Sequence, residues 1–291
     1  MKAMKKVAAL LLALTMALAL CACSNQGDTP TPTAEPSKAA EPSAEPSAEP
    51  SAEASEPAQG GSAEFTTVEE GKLHMSTNAA FPPYEMTTDD GGFEGIDVEV
   101  ADAIAKKLGL ELVVDDMAFT AALTAVQQGQ SDIAMAGITV DNTRKQVMDF
   151  SDTYATGIQV VIVKEDSPIQ TIDDLANAEM IGTQAGTTGY EYCSGDYGED
   201  HVTAFDNGAL AVTALVNGQV DAVVIDNEPA KSYVANNPGL KILDTEFAVE
   251  DYAIGFAKGN DALREAVNAA IAELKADGTF QNIVDKYIKA D

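Results

Sequence analysis

Short apolar runs alternate with amphipathic stretches along most of the chain. Ile96, Val100, Ile104 and Leu108 recur at four-residue spacing, which is typical of a helix with one buried face. The predicted helices are 97–108, 121–128, one that begins at 172, one opened by 186–189, 209–216, one with Pro229 in its first turn, 261–275 and 280–288. The predicted strands are 73–77, 112–114, 133–136, 159–163, 181–184, 222–225 and 253–257.

Strands that alternate with helices of this length predict the α/β class, with parallel sheets covered by helices on both faces. Residues 123–134 are echoed by residues 212–223, since both stretches combine a helix, a Gly-Gln turn, an aspartate and a strand. Two similar halves predict two lobes with a cleft between them. Ligands of such sheets bind beyond the carboxyl ends of the strands, so we expect the site in that cleft.

The first 64 residues break this pattern. Residues 1–23 have three lysines among their first six residues and continue into an apolar run too short to span a bilayer, which is typical of an export signal. Residues 24–64 hold most of the chain's 12 prolines and repeat Ala-Glu-Pro-Ser. Such a segment buries too little apolar surface to offset its conformational entropy, so we expect a disordered tether ahead of a globular body.

Composition and charge narrow the function classes. A net charge of −30, from 47 acidic and 17 basic residues, argues against nucleic-acid binding, which needs a basic face. Two histidines and three cysteines argue against a Cys/His zinc site. Only Cys193 lies beyond the first 64 residues, so the globular body has no internal disulfide. We expect no metal, no cofactor and no nucleic-acid partner.

The end of the export signal, Leu20-Cys21-Ala22-Cys23-Ser24, resembles a bacterial lipobox, in which a small residue precedes the lipidated cysteine. Bulky Leu20 makes Cys21 the poorer candidate. The resemblance implies a diacylglyceryl thioether on Cys23, and acyl chains such as palmitate hold a protein on a membrane. The alternative is an ordinary secreted protein cut near Ala22. A Gram-positive surface and a periplasmic location are both open.

Three motifs of the globular body look like the polar-amino-acid family of solute-binding proteins, which deliver ligands to ABC importers. They are Thr-Asn-Ala-Ala-Phe-Pro-Pro-Tyr-Glu at 77–85, Gly-Ile-Asp-Val-Glu at 95–99 and Ala-Gly-Ile-Thr-Val-Asp-Asn-Thr-Arg at 136–144. The resemblance covers nearly all of residues 70–288. It implies a periplasmic-binding-protein fold, in which two lobes, each a mainly parallel sheet flanked by helices, close on the ligand about a two-strand hinge.

On this basis we expect lobe 1 to comprise residues 65–154 and 251–291, and lobe 2 to comprise residues 155–250 with the hinge strands. We expect a monomer that contacts the permease subunits of an ABC transporter and the membrane through its N-terminal lipid. A sensor module would use the same binding chemistry, and the importer subunit is the expectation.

The candidate site follows from the groups of a free amino acid, each of which needs a partner once desolvated. Arg144 follows a strand and a Gly-Ile-Thr turn, so its planar fork can grip the ligand carboxylate. The alternative for Arg144 is a surface ion pair with Asp149 or Asp152. Asp226 ends an apolar strand and is the candidate partner of the ligand ammonium, with a helix N-cap as its alternative role.

The remaining candidates complete the predicted site. The Thr139 hydroxyl and backbone amides around Gly137 and Thr187 can share the ligand carboxylate. The resemblance implies that Phe81 and Phe119 sandwich the ligand's side chain, and the alternative for both is plain core. Tyr84 is a weaker lining candidate.

Two amides bear on ligand choice. The resemblance implies that Asn78 and Gln184 occupy ligand-contacting positions, and here both are neutral, which favours an uncharged polar side chain such as that of glutamine over a basic amino acid or cystine. Glu85 can instead meet a cationic side chain, or it is a solvated loop acid.

Catalysis is not expected. His74 is predicted to be structural, His201 to be exposed, and Cys193 has no cationic neighbour to lower its pKa. A dehydratase-like enzyme of the same fold is the alternative.

Overall fold

The computed structural model describes residues 65–244 and 246–289. The predicted export signal, the predicted lipidation site Cys23 and the predicted tether lie outside these residues. Fourteen strands occur among them: β1 (Lys72–Thr77), β2 (Ala80–Phe81), β3 (Glu85–Thr87), β4 (Phe93–Glu94), β5 (Glu111–Asp116), β6 (Ile133–Ala134), β7 (Met148–Phe150), β8 (Ala155–Lys164), β9 (Ile181–Gln184), β10 (Val202–Phe205), β11 (Ala222–Asp226), β12 (Leu240–Ile242), β13 (Ala248–Tyr252) and β14 (Gly255–Ala257).

Eight α-helices connect the strands of the described chain. They are α1 (Ile96–Leu108), α2 (Phe119–Gln127), α3 (Arg144–Val147), α4 (Thr188–Tyr197), α5 (Gly208–Val216), α6 (Asn227–Asn236), α7 (Asp261–Ala276) and α8 (Thr279–Tyr287). Two short 3₁₀ helices, Ile172–Asn177 and Glu199–His201, complete the secondary structure. None of the helices within these residues is both long and apolar enough to traverse a lipid bilayer.

Two large sheets define two α/β lobes, which confirms the predicted fold class. The sheet of the first lobe has the strand order β5-β1-β6-β14-β7. The sheet of the second lobe has the order β10-β9-β11-β8-β12, with β13 also paired to β8. A small antiparallel sheet, β2-β3-β4, lies between β1 and α1 along the chain and was not predicted.

Both large sheets are mainly parallel, as expected, since a single strand in each runs opposite to all the others. Strand β14 runs antiparallel to β6 and β7, and β8 runs antiparallel to β11, β12 and β13. The reason is topological. Both β8 and β14 are the strands with which the chain enters a lobe after leaving the other one, so each arrives from the opposite direction to the strands of the local βαβ units.

The two crossings between the lobes run side by side. Ser151 donates its amide to Ile254 O at 2.9 Å, and Tyr154 donates its amide to Tyr252 O at 2.9 Å. An isolated bridge also pairs Thr139 with Tyr252. These contacts match the expected pair of extended connections. The residue numbers predicted for the lobe boundaries stay a prediction.

Helix α1 shows how the sequence pattern leads to the packing. Val100 and Ile104 are fully buried, and Gly109 ends the helix in the left-handed conformation that glycine adopts without strain. The buried face of α1 packs against α7 and α8. In the second lobe, β8, β9 and β11 carry an apolar core that includes Val161, Ile181 and Val224.

Candidate functional site

All nine residues predicted to bind the ligand line one cavity between the two lobes. The cavity contains about 460 Å³ of space not filled by atoms, part of which opens to solvent. Its predicted lining residues are Asn78, Phe81, Phe119, Gly137, Thr139, Arg144, Gln184, Thr187 and Asp226. Glu85, Ala136, Gln159, Thr188, Val224 and Ile225 complete the lining. Tyr84 is buried in the adjoining core and does not line the cavity.

Arg144 begins helix α3 and is only 7% exposed. Its Nη1 donates to Thr139 O at 2.8 Å and its Nη2 donates to Gly186 O at 3.1 Å in the second lobe. Its Nε lies 3.2 Å from Asp141 Oδ2. These contacts hold the guanidinium plane in place at the cavity wall.

A surface ion pair of Arg144 with Asp149 or Asp152 is therefore wrong. Asp149 pairs instead with Lys258 at 2.7 Å.

Asp226 occupies the last position of β11 and is 8% exposed. One carboxylate oxygen accepts a hydrogen bond from Gln159 Nε2 at 2.9 Å, and the other accepts from the Tyr252 hydroxyl. The residue stands at the N-cap of α6, but its side chain makes no capping hydrogen bond. Burial raises the pKa of Asp226 to about 7, and the hydrogen bond from Tyr252 opposes this shift.

Asn78 and Gln184 meet across the cavity. Gln184 Nε2 donates to Asn78 Oδ1 at 3.0 Å, and Asn78 Nδ2 donates to Met117 O at 2.9 Å. Asn78 follows β1 in the first lobe and Gln184 ends β9 in the second, so the two strand ends that the sequence placed at the cleft are joined directly. Both amides therefore use part of their hydrogen-bonding capacity on the protein itself.

The two predicted aromatic residues belong to the apolar core and also line the cavity, and their contact with a ligand side chain stays a prediction. Phe119 packs in an apolar cluster with Leu123 and Ile138, and its ring also lies 5.5 Å from the Arg144 guanidinium. Phe81 stacks on Tyr84 with ring centroids 5.7 Å apart. Both aromatic rings line the cavity from the first lobe.

Gly137 brings the backbone close to the Phe81 ring. A Cβ atom there would lie 2.8 Å from Phe81 Cε1, and the φ angle of Gly137 is +54°. The Gly137 amide donates to Asp97 Oδ2 at 3.1 Å. That amide is therefore engaged by Asp97, and the sharing of the ligand carboxylate by amides around Gly137 stays a prediction.

Thr139 is also tied into the protein. Its hydroxyl donates to Glu250 Oε2 at 3.0 Å, and Glu250 accepts further hydrogen bonds from Gln159 Nε2 and from the Tyr192 hydroxyl. Sequence reasoning missed Gln159, Glu250 and Tyr252. One signal was present, because Gln159 is the polar residue that opens an otherwise apolar predicted strand.

Helix α4 starts at the cavity wall. Thr187 is its N-cap and accepts a hydrogen bond from the Tyr190 amide at 3.3 Å, while buried Thr188 is its first residue. The Thr187 amide lies 3.4 Å from Gln184 O, a long hydrogen bond. The positive end of the helix dipole thus faces the same region as Arg144, which favours an anionic group there.

Glu85 is the least expected feature of the cavity. It begins β3, is 1% exposed, and neither carboxyl oxygen has a hydrogen-bond partner within residues 65–244 and 246–289. Burial raises the pKa of Glu85 well above its usual range, and the charge of nearby Asp97 raises it further. The alternative role of a solvated loop acid is wrong, because the small sheet β2-β3-β4 carries this side chain inward.

Groups suited to other chemistry lie away from the cavity. His74 contacts Asp115 and Glu69, and His201 is exposed. Cys193 is buried, and its burial raises the pKa of the thiol to about 12. The described part of the chain has no cluster of three His, Cys, Asp or Glu residues that could hold a metal ion.

Comparisons with known proteins identify one family. The family described as bacterial extracellular solute-binding proteins, family 3, matches residues 73–290. A probable histidine-binding protein of Neisseria gonorrhoeae is 33% identical over 235 residues, which are 79% of this chain and 88% of that protein.

Two solved structures share the fold. An ancestral arginine-binding protein bound to glutamine has a TM-score of 0.72 and 37% identity, covering 76% of this chain and all of the other (100%). The substrate-binding protein of an amino acid ABC transporter has a TM-score of 0.71 and 38% identity, with coverage of 76% and 100%. The chain therefore belongs to the bacterial extracellular solute-binding proteins, family 3.

Proposed function

We propose that the protein binds a free basic amino acid between its two lobes and delivers it to the permease of an ABC importer. The observation that carries this proposal is the set of charges on the cavity wall. The charged lining residues are Arg144, Asp226 and Glu85, one cation and two acids. A ligand with one carboxylate, one ammonium and a cationic side chain complements all three.

The backbone groups of the ligand account for the first two charges. Arg144 and the start of α4 suit the carboxylate, because a fixed guanidinium and a helix N-terminus both favour an anion. Asp226 suits the ammonium, since Tyr252 and Gln159 orient its carboxylate from behind. This division leaves Glu85 for the side chain. A buried carboxyl without a donor gains most from a cationic partner.

A second candidate ligand is an uncharged polar amino acid such as glutamine, as the sequence favoured. Asn78 and Gln184 support it, and a neutral Glu85 can donate a hydrogen bond to an amide. The hydrogen bond between Asn78 and Gln184 weighs against it, because these amides partly satisfy one another. The names of the similar proteins include histidine, arginine and glutamine, so they are compatible with both candidate ligand classes.

A thermal-shift panel of the twenty amino acids, with cystine and ornithine added, tests the ligand class. A ligand at 100 times its Kd stabilises the protein by about 2.7 kcal/mol. We expect the largest shifts with arginine, lysine, ornithine or histidine. A larger shift with glutamine than with any basic amino acid would show that the ligand is an uncharged amino acid. No shift with any amino acid would overturn the binding function itself.

We also propose that the protein is not an enzyme. The support is that Cys193 and the two histidines lie outside the cavity, and the lining carboxyls each have a binding role. The amino acid that gives the largest thermal shift should be recovered chemically unchanged after prolonged incubation with the protein. Loss of that amino acid, with formation of a keto acid, would support the dehydratase-like alternative.

We propose finally that a lipid on Cys23 tethers a monomer to the outer face of the cell membrane. The extracellular family and the lipobox resemblance support this location. Cys23→Ala should release the protein from the membrane fraction, whereas Cys21→Ala should leave it attached. If Cys21→Ala releases the protein and Cys23→Ala does not, the lipidated residue is Cys21. Gel filtration with light scattering checks the monomer.

A further inference from the structure

A second buried carboxyl lies directly behind Glu85. Asp97, in the first turn of α1, is fully buried, and its amide donates to Tyr84 O at 2.8 Å, which fixes α1 against the start of β3. Asp97 Oδ2 accepts hydrogen bonds from the Tyr154 hydroxyl at 2.8 Å and from the Gly137 amide. Asp97 Oδ1 and both Glu85 oxygens have no donor in the described ranges.

Each of these carboxyls acts on the pKa of the other as a hydrogen-bonding neighbour, raising that of Glu85 and lowering that of Asp97. Two adjacent buried carboxyls are strongly disfavoured when both are ionised, whereas a single proton between them supplies the missing donor. The unpartnered oxygens therefore indicate a carboxyl pair that holds one proton, with Glu85 facing the cavity and Asp97 facing the protein.

Among the described residues, the titratable groups that act on the pair are acids and tyrosines. The titratable groups that face Glu85 come from α1, the end of β5, the end of β11, the residue before β3, the lobe crossing and α6. They are Asp97, Asp116, Asp226, Tyr84, Tyr154 and Tyr233. The cation on the cavity wall, Arg144, is held by Asp141 and two backbone carbonyls. A compensating charge must therefore come with the ligand.

We propose that capture of a cationic side chain expels one proton from the Glu85–Asp97 pair, so that binding of a basic amino acid is coupled to proton release. The inference rests on the proposed ligand class. The O–H bond of the neutral carboxyl breaks, its electron pair stays on the carboxylate, and the proton passes to the solvent. The ligand's side chain keeps its charge throughout and becomes the new partner of Glu85.

The coupling makes affinity depend on pH. Ligand binding that releases one proton becomes about tenfold weaker for each unit by which the pH falls, within the range where the pair is protonated before binding and ionised after it. A neutral side chain leaves the proton in place. Asp226 adds to the number of protons released, because its pKa of about 7 lets the ligand ammonium expel a proton there too. That addition is common to every amino acid.

The test is calorimetric titration of the purified full chain at pH 7.5 in phosphate and in Tris, whose ionisation enthalpies differ. The slope of the observed enthalpy against the buffer's ionisation enthalpy counts the protons released. The two probes are arginine and citrulline, its uncharged isostere. We expect arginine to release close to one proton more than citrulline. Equal counts would overturn the coupling while leaving arginine as the ligand.

Asp97→Asn provides a second measurement that does not depend on citrulline binding. Asparagine keeps an oxygen for Tyr154 and Gly137 and presents an amide donor to Glu85, which stabilises the ionised carboxylate before the ligand arrives. We expect this variant to bind arginine with fewer protons released and a flatter pH dependence. The matched control, Asp102→Asn on the same helix, changes a half-buried aspartate that pairs with Lys106 instead, and it should release as many protons as the unaltered protein.

A proton count in Asp97→Asn equal to that of the unaltered protein would overturn the role of the pair. Absence of binding by arginine, lysine and histidine would overturn the ligand class, and the coupling with it.

Discussion

The side-chain amides of Asn78 and Gln184 are hydrogen-bonded at 3.0 Å, and this bond joins the end of β1 in the first lobe to the end of β9 in the second. Other bonds also cross between the lobes. Arg144 donates to Gly186 O, and the Tyr233 hydroxyl donates to Ala80 O at 2.8 Å. Such bonds form only when the lobes are together. The free energy that they contribute therefore stabilises the closed arrangement relative to the open one.

The Asn78–Gln184 bond predicts a non-additive pair of variants. Asn78→Ala and Gln184→Ala should each weaken amino-acid binding by roughly fivefold, because one net hydrogen bond contributes about 1 kcal/mol. The double variant should lose less than the product of the two single losses, since both remove the same bond. Calorimetric titration of the four proteins measures the coupling.

Asn236→Ala is the control for this pair, because Asn236 is exposed and donates only to Ser232 within α6. It should bind as the unaltered protein does. Strict additivity of Asn78→Ala and Gln184→Ala would mean that their bond does not contribute to closure.

Arg144 should dominate affinity for every amino acid. Arg144→Ala is expected to weaken binding at least about 30-fold, since removing one partner of a buried charge pair costs about 2–5 kcal/mol. The effect should be the same for basic and neutral ligands, because all of them carry the carboxylate. Titration with arginine and glutamine measures both losses.

The matched control is Arg264→Ala, which removes the other arginine of the chain. Arg264 pairs with exposed Asp261 on α7, away from the cavity. It should leave affinity unchanged. Unchanged affinity in Arg144→Ala would refute the assignment of the carboxylate site.

The buried carboxyls predict that the protein without ligand is less stable at pH 8 than at pH 5. Burial raises the pKa of Asp97 and of Asp226 to about 7. Because the folded state binds these protons more tightly than the unfolded chain, their contribution is fully present below about pH 4 and is lost as the pH rises through 7. Asp226→Asn removes one contribution and should narrow the difference in Tm by a few degrees, on the order expected for a few kcal/mol.

His74 acts in the same direction, because hydrogen bonds to Asp115 and Glu69 outweigh burial and raise its pKa. The Tm difference between pH 5 and pH 8 is therefore compared between variants, because the contribution of His74 is the same in each of them. Asp277→Asn is the control, since hydrogen bonding to Thr279 lowers the pKa of Asp277 to about 2, outside this window. It should shift Tm equally at pH 5 and pH 8. An undiminished pH dependence in Asp226→Asn would contradict a raised pKa for Asp226.

Local pattern was enough to predict most elements and the place of the site. The apolar spacing of α1 and the glycine that ends it are visible in the sequence, and so are the polar residues at the ends of β1, β9 and β11. Because the carboxyl ends of such strands meet at the cleft, Asp226 could be assigned to it from the strand pattern, whereas Asn78 and Gln184 were assigned through the family resemblance.

The partners of these residues could not be predicted, because they come from distant parts of the chain. Asp226 is held by Tyr252, 26 residues away, and by Gln159, 67 residues away. Strand β13 carries Glu250 and Tyr252, yet it alternates exposed and buried positions without a continuous apolar run. The burial of Glu85 depends on the small sheet β2-β3-β4, whose two- and three-residue strands are too short to show a period.

Glu85 should decide between basic and neutral ligands. Glu85→Gln removes the carboxylate while keeping the shape of the side chain, so arginine should lose its ionic partner and bind at least tenfold more weakly. Citrulline should be affected much less, because a glutamine amide can both donate to its urea group and accept from it. The measurement is the ratio of the two Kd values in each protein, at pH 7.5.

Glu94→Gln is the matched control, because Glu94 belongs to the same small sheet but is exposed. It should leave the ratio of the Kd values for arginine and citrulline unchanged. Taking a ratio cancels any general disturbance of folding or closure, which weakens both ligands alike. Equal losses for arginine and citrulline in Glu85→Gln would therefore show that Glu85 supports the pocket without reading the charge of the side chain, and the ligand would then be an uncharged amino acid.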